Sequence, residues 1–142
     1  MEYKILGKTG LRISAMGFGG IPIQRIDAAG TGKLMQLLKE SGVNYIDTAY
    51  PYHNGESELF VGEALKKYDR ASYYLATKLP VWFVKSVEDV DKYFNEQLEK
   101  MQTDYVDFYL LHAMNLDRWK EMVSLGVVER LEALKAEGKI RY

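Results

Sequence analysis

Apolar residues in this chain alternate between two periods, and the changes come in a regular order. Tyr3-Lys-Ile-Leu6 and Leu11-Arg-Ile-Ser14 flank Gly7-Lys-Thr-Gly10, two short alternating runs around a glycine-bounded turn, which predicts a β-hairpin over residues 1–14. Ala15-Met-Gly-Phe-Gly-Gly20 predicts a short strand. Leu34, Leu37, Leu38 and Ser41 then fall at helical spacing, with Gly42 placed to close the helix. A strand over 44–50 follows, then a helix over 56–68 marked by Val61, Ala64, Leu65 and Tyr68, then a strand over 73–78. Ser86 and Asp89 form a near capping box ahead of an apolar stripe of Val87, Val90, Phe94, Leu98 and Met101. The strand over 105–112 leads to a last helix marked by Val127, Leu131 and Leu134 and closed by Gly138. Ile140-Arg-Tyr142 reads as the opening of a fifth strand.

Hairpin, then four strand–helix units, is an α/β chain, and strict alternation implies parallel strands joined by right-handed crossovers. An eight-stranded barrel takes about 250 residues and rarely fewer than ~200, whereas this chain has 142. Half a barrel and a four-stranded open sheet both satisfy the pattern. An open sheet that binds a dinucleotide usually carries a glycine fingerprint after its first strand. Here Gly17-Phe-Gly-Gly-Ile-Pro22 puts proline where the third glycine belongs, and the fingerprint fails.

Composition narrows the function classes. A net charge of −1 and the lack of a basic patch speak against nucleic acid as a partner. The chain has no cysteine, which excludes disulfides and thiolate metal sites within it. No apolar stretch approaches the ~20 residues of a membrane span, and Met1-Glu-Tyr-Lys does not open a signal peptide. A cytoplasmic protein without a membrane partner is expected.

Asp47, Tyr52, Lys78 and His112 lie at or just past the ends of three successive predicted strands. In barrels of strand–helix units, chemistry sits at the carboxyl ends of the strands. Reducing a carbonyl needs a proton on oxygen as hydride reaches carbon, and a phenol supplies one if a nearby ammonium favours its phenolate. Tyr52 as acid, Lys78 as its tuner, Asp47 as the lysine's partner and His112 as a clamp on the carbonyl oxygen make a coherent set. Each has a plainer reading as well: a loop-bonding aspartate, one of 11 tyrosines, a solvated lysine, a buried histidine. A barrel metal hydrolase using His53, His112 and Asp47 is a second catalytic reading, although no His-x-His strand motif accompanies it.

Asp47-Thr-Ala-Tyr-Pro-Tyr52 resembles the Asp-Thr-Ala-x-x-Tyr motif of aldo-keto reductases. Ala76-Thr-Lys78 is similar to that family's lysine strand, and Asp104-Tyr-Val-Asp-Phe-Tyr-Leu-Leu-His112 to its histidine strand. Leu6-Gly-Lys-Thr-Gly-Leu11 and Gly17-Phe-Gly-Gly20 resemble its hairpin and first barrel strand. The resemblance implies the first half of a (β/α)8 TIM barrel, residues 15–142 after the hairpin of residues 1–14, stopping before strand 5. It implies NADP(H) as cofactor, a small aldehyde or ketone as substrate, and Asp47, Tyr52, Lys78 and His112 as catalytic positions. Gly20, Ile21 and Asp47 are the implied cofactor contacts. Tyr50 and Trp82, on loops beside the site, are candidates for an apolar substrate wall.

Tyr50-Pro-Tyr-His-Asn-Gly-Glu-Ser57 and Lys78-Leu-Pro-Val-Trp82 further resemble the branch whose carboxyl-terminal domain is ferredoxin-like and carries iron–sulfur clusters. Those clusters would lie beyond Tyr142. In this family most of the cofactor's grip comes from the second half of the barrel, so an isolated first half is expected to have weak activity or none. A regulatory or assembly module of the same fold is the non-catalytic alternative. Open strand edges at the first strand, the His112 strand or residues 140–142 predict self-association.

Overall fold

The computed structural model describes residues 1–21 and 26–142. Strands β1 (Tyr3–Ile5) and β2 (Arg12–Ser14) pair antiparallel as the predicted hairpin. Next come β3 (Phe18–Gly19), α1 (Ala28–Glu40), β4 (Tyr45–Asp47), α2 (Ser57–Leu65), β5 (Tyr74–Leu79), α3 (Glu88–Met101) and β6 (Phe108–Leu111). Helices α4 (Leu116–Ser124) and α5 (Val127–Ala136) follow. β3 to β6 form one parallel sheet in sequential order.

The two sheet faces differ because successive side chains alternate. Ile46, Leu75, Thr77 and Leu79 are buried on the face toward the helices, in a core that includes Met35, Val61, Leu65, Val90, Phe94 and Leu134. Tyr45, Asp47, Tyr74, Ala76, Lys78, Phe108 and Leu110 alternate with them and face the other way. Aromatic rings line the start of that second face: Tyr45 and Phe108 lie 5.5 Å apart, and Phe108 stacks on Tyr142 at 5.4 Å. At Gly62 a Cβ would come within 2.5 Å of the Lys100 carbonyl, so α2 and α3 meet backbone to backbone.

Four expectations change. α1 starts earlier than predicted, capped by Asp27 accepting from the Gly30 N–H, and Thr31 and Met35 are its buried residues. Leu37, counted on the apolar stripe, is 60% exposed. The region after His112 holds two helices, the first capped by Asn115 and buried through Met122. The near capping box is half made: Asp89 accepts from the Ser86 N–H at 3.1 Å, and α3 itself begins at Glu88.

Residues 140–142 do run beside β6. Ile140 bridges Val106 in parallel, the Tyr142 N–H donates to the Asp107 carbonyl (2.9 Å), and the Tyr109 N–H donates to the Tyr142 carbonyl (3.1 Å). The first half of β6 is therefore covered by residues 140–142.

Candidate active site

β4 ends at Asp47, and β5 carries Lys78 two residues further along the neighbouring strand, on the same face, since Asp47 is in register with Ala76. The Lys78 ammonium reaches back to donate to Asp47 Oδ1 and to the Thr48 carbonyl, both at 2.7 Å. The lysine side chain is only 13% exposed, so its hydrogen bonds are shielded from water. Its Nζ also lies 4.9 Å from the centre of the Tyr52 ring.

Tyr52 opens a short 3-10 turn, Tyr52–Gly55, that follows β4. His53, Asn54 and Gly55 all have positive φ (53°, 52° and 90°). A left-handed run of this kind is costly for residues with a Cβ, and the Tyr52 loop holds two of them. The Tyr52 and His112 rings meet nearly perpendicular, 5.7 Å apart, and Trp82 lies 5.1 Å from His112 on its other contact. Asp47, Tyr52, Lys78, His112 and Trp82 thus form one contiguous group.

His112 follows the last residue of β6, and its backbone N–H donates to the Leu79 carbonyl. Its Nδ1 is buried with no hydrogen-bond partner among the described residues. Burial, and then the Lys78 charge, hold its imidazole below the usual range. The unfolded chain takes up a proton near pH ~6.5 while the folded one resists. His112 therefore contributes stability that is complete above that pH and lost as the pH falls toward the folded value. Denaturant titrations from pH ~5 to ~8 should show the wild type losing stability relative to His112→Gln below pH ~6.5. Parallel curves would refute a suppressed imidazole.

The other predicted residues fall as follows. Gly20 is buried, and its N–H donates to the Asp47 carbonyl at 2.7 Å. A side chain there would press on Ser57 Oγ, the Asp47 carbonyl and Thr48 Oγ1 at about 3 Å. Ile21 is 55% exposed and lines a cleft of about 250 Å³ with Pro51, Tyr52, His53 and Asn54. Tyr50 turns elsewhere. Its hydroxyl donates to Glu96 and its ring packs on Phe83 and Tyr93; burial and the Glu96 bond push its pKa up to about 12. Its contacts are therefore with α3 and Phe83 rather than with His112. His53 faces Glu56 (3.3 Å) and Phe60, and among the described residues no three His, Cys, Asp or Glu side chains gather as a metal site. That geometry leaves the metal-hydrolase reading without a ligand set.

The aldo/keto reductase family model matches residues 15–142. L-galactose dehydrogenase of Arabidopsis thaliana is 36% identical, aligned over 100% of this chain and 47% of its own length. NADH-specific methylglyoxal reductase of Escherichia coli is 31% identical over 96% of this chain and 49% of its own. The chain belongs to the aldo/keto reductase family. An aldo-keto reductase from Bacillus halodurans, solved in a holo form, superposes with a TM-score of 0.84 at 34% identity. It is matched over 100% of this chain and 49% of its own. The chain spans about half the length of the curated relatives it matches, and its fold is half of the family's TIM barrel.

The family motifs led to the four polar tips but not to what holds them. Thr48 supplies a carbonyl to Lys78 and a hydroxyl 2.8 Å from Ser57. Behind the strand, Glu58, Thr77 and Gln97 are completely buried. A signal for them was present: Glu58 sits three and seven residues before Val61 and Leu65, and Gln97 three and four residues from Phe94 and Met101. Polar residues on an apolar stripe must be satisfied inside the fold.

Proposed function

We propose that this chain supplies the catalytic half of an NADP(H)-dependent aldo-keto reductase acting on a small aldehyde or ketone, with Tyr52 as general acid. The observation that carries this reading is the Lys78 ammonium, bonded to Asp47 and the Thr48 carbonyl, lying over the Tyr52 ring that abuts His112. Carbonyl reduction places a hydride on carbon and a proton on oxygen. NADP(H), when bound, supplies the hydride. The Tyr52 hydroxyl gives its proton to the carbonyl oxygen, and the adjacent ammonium favours the phenolate left behind. Asp47 keeps that ammonium in place. A neutral His112 hydrogen-bonds the carbonyl oxygen as charge builds on it. Tyr52 then regains a proton from solvent, so carbonyl, reduced cofactor and one proton yield alcohol and oxidised cofactor.

Gly20, Ile21 and Asp47 would hold the nicotinamide end. Ile21 is exposed beside Tyr52 in a cleft of about 250 Å³, where a nicotinamide ring would meet the general acid. Trp82 forms the apolar wall. With no cysteine, the chain itself ligates no iron–sulfur cluster through thiolates. Among the described residues no helix is long and apolar enough to cross a membrane. The test is to mix the protein carrying this chain with NADPH and a panel of small aldehydes and ketones. Loss of reduced-cofactor fluorescence that depends on the carbonyl is expected. Binding of cofactor with no turnover of any carbonyl would overturn the enzyme reading in favour of a regulatory module.

The isolated 142-residue chain should also self-associate. Leu110 is 41% exposed on the sheet face that carries the aromatic row, and exposed Leu116, Trp119 and Val123 add an apolar strip on α4. Contiguous apolar surface beside a free strand edge invites a second copy. Light scattering is expected to give at least a dimer burying more than ~1,000 Å². A monomer at low concentration that binds no hydrophobic dye would overturn it.

A further inference from the structure

The sheet has a second polar cluster, on the side opposite Lys78. Glu58, in the first turn of α2, is fully buried, as are Thr77 of β5 and Gln97 of α3. Thr77 Oγ1 donates to Glu58 Oε1 at 2.6 Å, and Gln97 Nε2 donates to the same oxygen at 2.5 Å. The same Gln97 amide nitrogen lies 3.0 Å from Thr77 Oγ1 and 3.1 Å from the Lys78 carbonyl. Its Oε1 accepts from the Tyr109 hydroxyl at 2.6 Å. Just before Glu58, Ser57 Oγ lies 2.8 Å from Thr48 Oγ1, and Thr48 supplies the carbonyl that Lys78 grips.

The first turn of α2 thus latches two strand ends at once. Ser57 holds the residue after Asp47, and Glu58, through Thr77 and Gln97, holds the backbone of Lys78. We infer that Glu58 is a positioning residue for the Asp47–Lys78 pair, fixing from the helix side the strand end whose ammonium projects from the other. Packing alone does not account for a carboxyl at this place. Burying an ionisable group costs free energy, and Glu58 Oε2 has no hydrogen-bond partner among the described residues. Burial raises its pKa although two donors meet Oε1. An apolar residue would fill the site more cheaply, but it would leave the Thr77 hydroxyl proton without its acceptor on the residue next to Lys78.

The inference gains its importance from the proposed role of Lys78, but its test reads Lys78 itself and so stands whether or not carbonyl reduction is found. Native protein is pulse-labelled with acetic anhydride, and the rate at each lysine is read by peptide mass spectrometry. Lys39, bonded to the Ser72 carbonyl at 2.7 Å and to Ser72 Oγ at 3.1 Å, is the internal control, because it touches none of this cluster. Glu58→Gln keeps an acceptor at Oε1 and should leave the Lys78 rate near that of the wild type. Glu58→Ala and Thr77→Val should raise the Lys78 rate about fivefold, the change expected from one lost hydrogen bond, with Lys39 unmoved. A parallel rise at both lysines would mean general loosening and overturn the positioning role. No rise at Lys78 in Thr77→Val would overturn it too, and that variant decides the matter if Glu58→Ala does not fold.

Discussion

Tyr52→Phe is expected to lower carbonyl reduction by about 10²–10⁴-fold, the usual worth of general acid catalysis, while cofactor affinity stays unchanged. The substitution removes one hydroxyl and keeps the ring. The perpendicular contact with His112 at 5.7 Å and the Lys78 ammonium 4.9 Å from the ring centre are both made by that ring. The scaffold of the site therefore survives, and the lost interaction is one used as the proton moves. Such a change falls on kcat rather than on ground-state binding. Steady-state kinetics of the protein carrying this chain, alongside cofactor titration, separate the two. Turnover close to wild type would remove Tyr52 from its role, and a matched loss of cofactor affinity would assign it to binding instead.

Asp107→Ala is expected to cost about 3–5 kcal/mol of stability, the range for breaking a buried ion pair. Asp107 has a fully buried side chain at the start of β6. Its carboxylate accepts from Arg70 Nη2 (2.7 Å), from the Leu75 N–H (2.9 Å) and from Arg141 Nη1 (3.0 Å). Both guanidinium groups also lie over the Tyr105 ring, at 3.9 and 4.2 Å from its centre. One carboxylate therefore ties together β5, β6 and the strand-like residues 140–142 at the end of the sheet away from Lys78. Removing it leaves a backbone N–H and a largely buried Arg70 without their partner. Removing only Arg141, whose side chain is half exposed, is expected to cost less than ~1 kcal/mol because water replaces it. Urea titrations of the two variants test the contrast. Equal and small losses would show that the cluster does not hold the sheet together.

Both predictions concern residues that the sequence exposed to different degrees. Asp47, Tyr52, Lys78 and His112 were legible because strand periodicity placed them at strand ends, and the motif spacing matched a known family. The alternation of periods also gave the hairpin, the parallel order and the run of residues 140–142. Each of these depends on local patterns that survive in a one-dimensional string.

What the string left open depended on contacts between distant residues. Tyr50 and Trp82 looked equivalent as loop aromatics, yet Tyr50 found Glu96 on α3 while Trp82 turned to His112. Which partner an aromatic finds is set by packing between segments distant in sequence, 46 residues apart for Tyr50 and Glu96, and not by its neighbours. Leu37 sat on the apolar stripe and emerged exposed, because α1 begins at Ala28 and turns Thr31 and Met35 inward. Asp107 drew no reading from the sequence, and only the fold brought Arg70 and Arg141 to it. Glu58 and Gln97 were visible as polar breaks in apolar stripes. That they meet behind Lys78 was decided in three dimensions, where every buried donor must find an acceptor.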